Sequence, residues 1–139
     1  MKQTAHEEVK VVHMLDAASY GAAAEAFSTA VDCKGFDEML LIVNAGVITA
    51  TGDVALQLEE SADNSTWVDI TGASEADTTL VVANDQKSYV GRIDLRKRLR
   101  YIRVGYDVDD DAAIMSMDAV LLGAKEKPVT QENTVLFNV

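Results

Sequence analysis

The sequence is poor in several residue types, and each shortage excludes a class of protein. With one cysteine, Cys33, among 139 residues, no internal disulfide can form, so stability must come from packing. No apolar run approaches the roughly 20 residues of a membrane-spanning helix; the longest is residues 39–43. Residues 1–10 lack the apolar stretch of a secretory signal, which predicts synthesis in the cytoplasm.

Basic residues are also scarce. Lys and Arg total 12 against 23 Asp and Glu, which gives a net charge of −11. Such a surface repels nucleic-acid phosphates and anionic lipid, so we expect neither nucleic acid nor a membrane as partner. The hydrophobic fraction of 48% and the length are ordinary for one globular domain. We therefore predict a single domain over residues 1–139.

Apolar residues recur with a period of two, which is typical of half-buried β-strands. Residues 53–60 and 100–108 show the alternation most clearly, and turn residues such as Asp63-Asn64-Ser65 separate the runs. About nine strands in this length predict an all-β protein, an antiparallel two-sheet sandwich of jelly-roll type, with an immunoglobulin-like sandwich as the alternative. The remaining strands are predicted at residues 9–15, 26–31, 39–43, 66–70, 78–82, 89–96 and 112–122.

Three segments fall outside this pattern. The alanine-rich residues 16–27 have few large apolar side chains, so we predict a loop there with at most one helical turn. Residues 1–10 and 128–139 are predicted to be extended arms, the second beginning at the only proline, Pro128, and containing a short apolar run at 134–137. Chain termini become ordered only when something holds them, so these arms are predicted to reach a partner.

The only basic cluster contains all five arginines of the chain. Three interpretations are open: contact with an acidic neighbour, which arginine favours by pairing carboxylates in bidentate fashion; a solvated loop at a strand end; and nucleic-acid contact, which the net charge disfavours. We predict that the cluster contacts a partner. Its members are Arg92, Arg96, Lys97, Arg98, Arg100 and Arg103.

Methionines mark a second predicted contact. Met115 and Met117, together with Met39, Leu40 and Ile42, would give two strands an apolar second face. Such a face must be covered, and methionine is a common filler both in cores and at interfaces. The cover is either the opposing sheet or a second subunit, and the sequence does not separate the two.

No pattern in the sequence indicates catalysis, a cofactor or a metal. Residues 107–111 are rich in aspartate but lack the glycine and later glutamate of an EF-hand loop, so a solvated hairpin tip is favoured over a calcium loop. His6 and His13 are seven residues apart, which would place them on opposite faces of one strand. Catalytic and nucleotide-binding motifs are absent from the sequence. We predict that the protein is not an enzyme.

One segment resembles a known family. Leu56-Gln-Leu-Glu-Glu-Ser-Ala-Asp-Asn-Ser-Thr-Trp-Val-Asp-Ile70 is similar to a hairpin of small tailed-phage head proteins, which has Leu-x-Glu-Ser-x-Asp, a turn, an aromatic residue and Val-Asp-Val. Val31-Asp32, Gly35-Phe36 and Arg100-Tyr-Ile-Arg-Val104 are similar to the same family in order and spacing, so the resemblance covers about residues 30–124.

The resemblance implies a capsid decoration, or cement, protein. Such a protein would be made in the host cytoplasm and would bind the major capsid protein on the exterior of the virion as a homodimer or homotrimer, without cofactor or catalytic residues. A tail or head-fibre component is an alternative. A carbohydrate-binding sandwich is another, but it would need exposed aromatic residues, which make up only 6% of the chain.

Overall fold

A computed structural model describes residues 5–21, 23–73 and 79–131 of the chain. The apolar run predicted at 134–137 and the outer parts of both predicted arms lie outside these residues. The described elements, apart from one helical turn (α1, Ala5–Glu8) and two short 3-10 turns, are ten strands. They are β1 (Lys10–Tyr20), β2 (Ala23–Phe27), β3 (Val31–Asp32), β4 (Glu38–Ile48), β5 (Asp53–Ser61), β6 (Val68–Asp69), β7 (Thr79–Val81), β8 (Lys87–Asp94), β9 (Tyr101–Asp109) and β10 (Ala113–Leu122).

The strands form two antiparallel sheets, and their order confirms the predicted jelly-roll sandwich. The first sheet has the order β1-β10-β4-β8. The second has the order β2-β9-β5-β6, with β3 beside β9 and β7 beside β5, so the ten strands fill eight positions. The chain changes sheet six times, at β1–β2, β3–β4, β4–β5, β7–β8, β8–β9 and β9–β10. These crossings give the jelly-roll arrangement of two Greek keys rather than the immunoglobulin order.

The core lies between the two sheets and follows the alternation of the sequence. Along β9, Ile102 and Val104 are fully buried, and along β10 the same holds for Ala119 and Leu121. Since successive side chains of a strand point to opposite faces, each sheet contributes every second residue to the core. Cys33 is buried in the same cluster, and burial raises its pKa to about 12. Its thiol is therefore a small apolar core group, as free cysteines usually are.

The prediction of a loop at residues 16–27 is wrong, because most of this segment is in strands. Strand β1 continues to Tyr20 and β2 begins at Ala23, which leaves only residues 21–22 between the strands. Both strands lie at sheet edges, and the part of β1 after Leu15 is held by backbone pairing, such as that of Ala18 with Met115, although it has few large apolar side chains. Two register shifts in β1 also break the period of two that the sequence would otherwise show.

The sequence predicts a hairpin tip at residues 107–111, but these residues connect the two sheets. Strand β9 belongs to one sheet and β10 to the other, so the turn crosses the end of the sandwich. Asp110 has a φ of 61°, and the Asp111 amide donates to the Asp109 carbonyl at 2.7 Å. The acidic side chains at this turn are exposed to solvent, where water screens their mutual repulsion.

The described parts of the two predicted arms contact each other. The Val129 amide donates to the Glu7 carbonyl at 3.0 Å, and Lys127 forms an ion pair with Glu8 at 3.1 Å. The side-chain amide of Gln131 bonds the backbone at both Val9 and Val11. These contacts hold the C-terminal segment beside the outer edge of β1.

Candidate interaction surface

The five arginines that are clustered in the sequence do not form one basic surface. Each forms an ion pair with a carboxylate of the same chain, and four of the five carboxylates are 38 to 68 residues away in the sequence. The pairs are Arg92 with Glu38, Arg96 with Asp94 (2.8 Å), Arg98 with Glu60 (3.4 Å), Arg100 with Asp32 (2.8 Å) and Arg103 with Glu59 (2.5 Å). Lys97 is exposed and forms no ion pair within the described residues. The predicted contact of this cluster with a partner stays a prediction.

Two of these pairs fix the charge of their carboxylates. Hydrogen bonds from Arg100 hold the pKa of Asp32 below its usual value, and hydrogen bonds from Arg96 lower the pKa of Asp94 to about 2. Both carboxylates therefore stay ionised at neutral pH. A binding partner would therefore meet ion pairs at these two positions rather than a uniformly positive field.

Arg103 differs from the other arginines because two aromatic rings enclose it. Its guanidinium lies 3.7 Å from the ring centre of Phe27 and 4.2 Å from that of Trp67. The side chains of Arg103 and Glu59 are only 19% and 12% exposed, and the two residues face each other in the register of β5 and β9. The cluster joins β2, β5, β9 and the loop before β6 on the outer face of the second sheet, and Trp67 anchors it.

The structure corrects the partner contact predicted for Met115 and Met117. Their exposures are 2% and 0%, because both side chains of β10 point into the core. Their cover is the opposing sheet, which resolves the alternative that the sequence left open. Neither side chain can contact a partner while the protein is folded. By contrast, Leu40 and Ile42 lie on the outer face of the first sheet and are only half-buried.

An apolar band crosses that outer face. In the strand register, Val11 pairs with Val120 and Val120 with Leu40, while Ile42 of the next row pairs with Val90. We call these five residues the apolar band. Val11 is 39% exposed and Val90 is 63% exposed, so the band is open to solvent at both edges of the sheet.

The charged residues beside the band are paired. His13 bonds Asp16 at 2.8 Å and Asp118 at 3.1 Å, and Arg92 bonds Glu38. The hydrogen bond with Asp16, and to a smaller extent the one with Asp118, raises the pKa of His13 above its ordinary value of 6.5. The charged side chains beside the band therefore have hydrogen-bonding partners within the chain.

Raising the pH from 6 to 8 should lower the melting temperature through His13. A folded-state pKa above the unfolded value gives stability that is fully present below pH 6.5 and is lost as the pH rises through the folded-state value. We expect His13→Gln to show a smaller decrease over this range than the wild-type protein. The effect should be small, since His13 is half-exposed. Identical pH profiles in a thermal melt would contradict this role of His13.

Within residues 5–21, 23–73 and 79–131, no group of three or more His, Cys, Asp or Glu side chains is placed to hold a metal ion. Over the same residues, no helix has the length and apolar character needed to cross a membrane. The side chain of His6 lies outside the described part of the chain.

Comparison with known proteins gives similarity of fold only. No protein-family model matches the chain, and no curated protein matches it in sequence. A chain in the structure of infectious bursal disease virus, Gx strain, is similar over 88% of this chain with a TM-score of 0.52 and 9% identity. The present chain spans about a third of that protein, since 33% of it is covered.

A second similar chain comes from Bacillus endospore appendages, described as disulfide-linked pili. It covers 90% of this chain and 98% of its own length at 16% identity, with a TM-score of 0.45. The strand order and the similarity to the virus chain together define the protein as a jelly-roll β-sandwich.

Proposed function

We propose that the chain is a non-enzymatic structural protein of a tailed-phage particle, which binds the major capsid protein on the capsid exterior as a decoration oligomer. The observation that best supports the proposal is the apolar band, a row of partly exposed apolar side chains that crosses the first sheet. The family resemblance of residues 30–124 supports the phage assignment, and the occurrence of the same fold in a virus chain is consistent with it.

The band has the composition of a protein contact. Cores of protein interfaces are depleted of charge, and contiguous exposed apolar patches mark binding surfaces. Its five side chains extend from β1 to β8 across all four strands of the first sheet. A capsid lattice presents the same contact many times, so a modest area per copy is sufficient when the protein binds as an oligomer.

The arginine pairs supply a second, polar contact in this proposal. Arg92, Arg96 and Arg100 are exposed, and each could exchange its carboxylate for one on the capsid. Such exchange favours specificity and association rate more than affinity.

A carbohydrate-binding module is less well supported. Its sugar platform would need aromatic faces open to solvent. The Arg103 guanidinium covers one face of Phe27 and one face of Trp67, so the outer face of the second sheet has its largest rings engaged within the chain.

Binding to capsids that lack this chain tests the proposal. We expect the purified protein to co-sediment with expanded capsids, and Val11→Asp to weaken binding by tenfold or more, on the order of the cost of burying an unpaired carboxylate. Val81→Asp is the matched control, because Val81 is also 39% exposed but lies on the second sheet. Absence of co-sedimentation by the wild-type protein, or equal weakening by the two variants, would contradict the proposal.

A further inference from the structure

Three of the four edges of the sandwich are protected against pairing with another chain. Strand β1 shifts register twice and is bonded by Gln131. On the second sheet, one edge is divided between β2 and β3, and the other consists of two residues of β6 and three of β7. Bulges, interruptions and short strands are the usual protection of sheet edges.

The fourth edge, β8, has none of these features. It pairs with β4 from Glu38–Asp94 to Ala45–Lys87 without a register shift, and it contains no proline. Within the described residues, no strand pairs with its other side. Val90, at its centre, is 63% exposed, more than any other large hydrophobic side chain described. A regular edge with an apolar centre is a template for another strand.

We propose that β8 pairs antiparallel with β8 of a second copy, about a two-fold axis that passes beside Val90 normal to the sheet. The two four-stranded sheets then form one continuous sheet of eight strands. This inference gives the proposed decoration oligomer its geometry, and it rests on the oligomeric part of the proposed function.

The side chains of β8 select this register. With Val90 opposite Val90 of the second copy, Arg92 faces Ser88 and Tyr89 faces Gly91, so no like charges lie opposite each other in the ladder. An aromatic ring beside a cross-strand glycine covers the exposed backbone there. A shift by one pair toward Gly91 would place Val90 opposite Arg92, which removes the apolar centre.

The two-fold symmetry is also the reason to expect a second copy of this chain, and not another protein, at the edge of β8. A two-fold axis normal to the sheet keeps both outer faces on one side, so the two apolar bands join end to end at Val90. The resulting surface runs from Val11 of one copy to Val11 of the other. It would double the apolar area that one molecule offers to a flat partner such as a capsid.

A charge at position 90 tests the pairing. We expect the wild-type protein to sediment at twice its mass of 15.0 kDa, and Val90→Asp to weaken the dimer on the order of a hundredfold, because two carboxylates would then face each other. Mixing Val90→Asp with Val90→Lys should restore a dimer, which a misfolded variant could not do. Val68→Asp is the control, since Val68 is 50% exposed on the second sheet.

Cross-linking tests the register itself. Residues directly opposite in an antiparallel pair have Cα atoms about 4.5–5.5 Å apart, which suits a disulfide. We expect oxidised Val90→Cys to form a covalent dimer and Ser88→Cys to form none, because two copies of residue 88 would be about 13 Å apart. The single native thiol, Cys33, is buried and does not compete.

Several results would overturn the inference. These are a wild-type protein that is monomeric at its highest soluble concentration, a dimer that survives Val90→Asp, and a Ser88→Cys variant that cross-links as readily as Val90→Cys. A dimer with the predicted cross-link that fails to bind capsids would leave the inference intact and contradict only the proposed function.

Discussion

Replacing Arg103 with alanine should lower the free energy of unfolding by about 2–4 kcal/mol, since the change leaves the largely buried carboxylate of Glu59 without its partner. It also removes the cation between the rings of Phe27 and Trp67, which lie 3.7 Å and 4.2 Å from the guanidinium. Urea denaturation of the wild-type protein and the variant would measure the difference.

Arg96→Ala is the matched control for Arg103→Ala. Arg96 belongs to the same cluster in the sequence and also pairs with a carboxylate, but its side chain and that of Asp94 are exposed to solvent. Exposed ion pairs contribute little to stability, so we expect a change too small to resolve. Arg103→Lys should fall between the two, because lysine keeps the charge and loses the planar fork. Equal losses for Arg96→Ala and Arg103→Ala would contradict the enclosed cluster.

Replacing Met117 with alanine should lower the free energy of unfolding by about 2–5 kcal/mol, the usual cost of deleting a large buried side chain. Met117 is fully buried between the sheets, so the change removes apolar contacts and leaves a cavity. Met117→Leu nearly conserves volume and should cost less than about 1.5 kcal/mol. Thermal or urea unfolding would measure both.

The same pair of variants tests whether Met117 faces inward. If Met117 contacted a partner, Met117→Ala would weaken association and leave the stability of the isolated chain unchanged. The structure predicts the opposite: a less stable protein that associates normally once folded.

Strands with one buried face could be predicted closely from the sequence. The alternation predicts strands at residues 53–60 and 100–108, and the structure has β5 at Asp53–Ser61 and β9 at Tyr101–Asp109. Large apolar residues alternate with polar ones in both strands, so the pattern reports the buried face directly.

Edge strands could not be predicted in the same way. Alanine and serine in residues 16–24 give little contrast between a buried and an exposed face. The register shifts within β1 and β2 then remove what periodicity remains. Backbone pairing with β10 and β9 decides the structure there, and this tertiary context overrides the weak strand preference of alanine and serine.

The candidate surface was predictable only in part. The arginine cluster was visible in the sequence, but its partners Asp32, Glu38 and Glu59 are 44 to 68 residues away, and only the sheet register brings them together. For Met115 and Met117 a signal was present: both are in phase with Ala119 and Leu121 along β10, and that face is buried. The apolar band required the register of four strands and therefore the fold.

An electron-microscopy map of the particle that contains this chain would show directly where the protein binds and how its copies pair. We expect jelly-roll density on the capsid exterior, arranged in pairs about local two-fold axes, with the apolar bands facing the major capsid protein and β8 at the contact between copies. Density for the chain in the tail or inside the capsid, or on the capsid with the apolar band facing solvent, would contradict it.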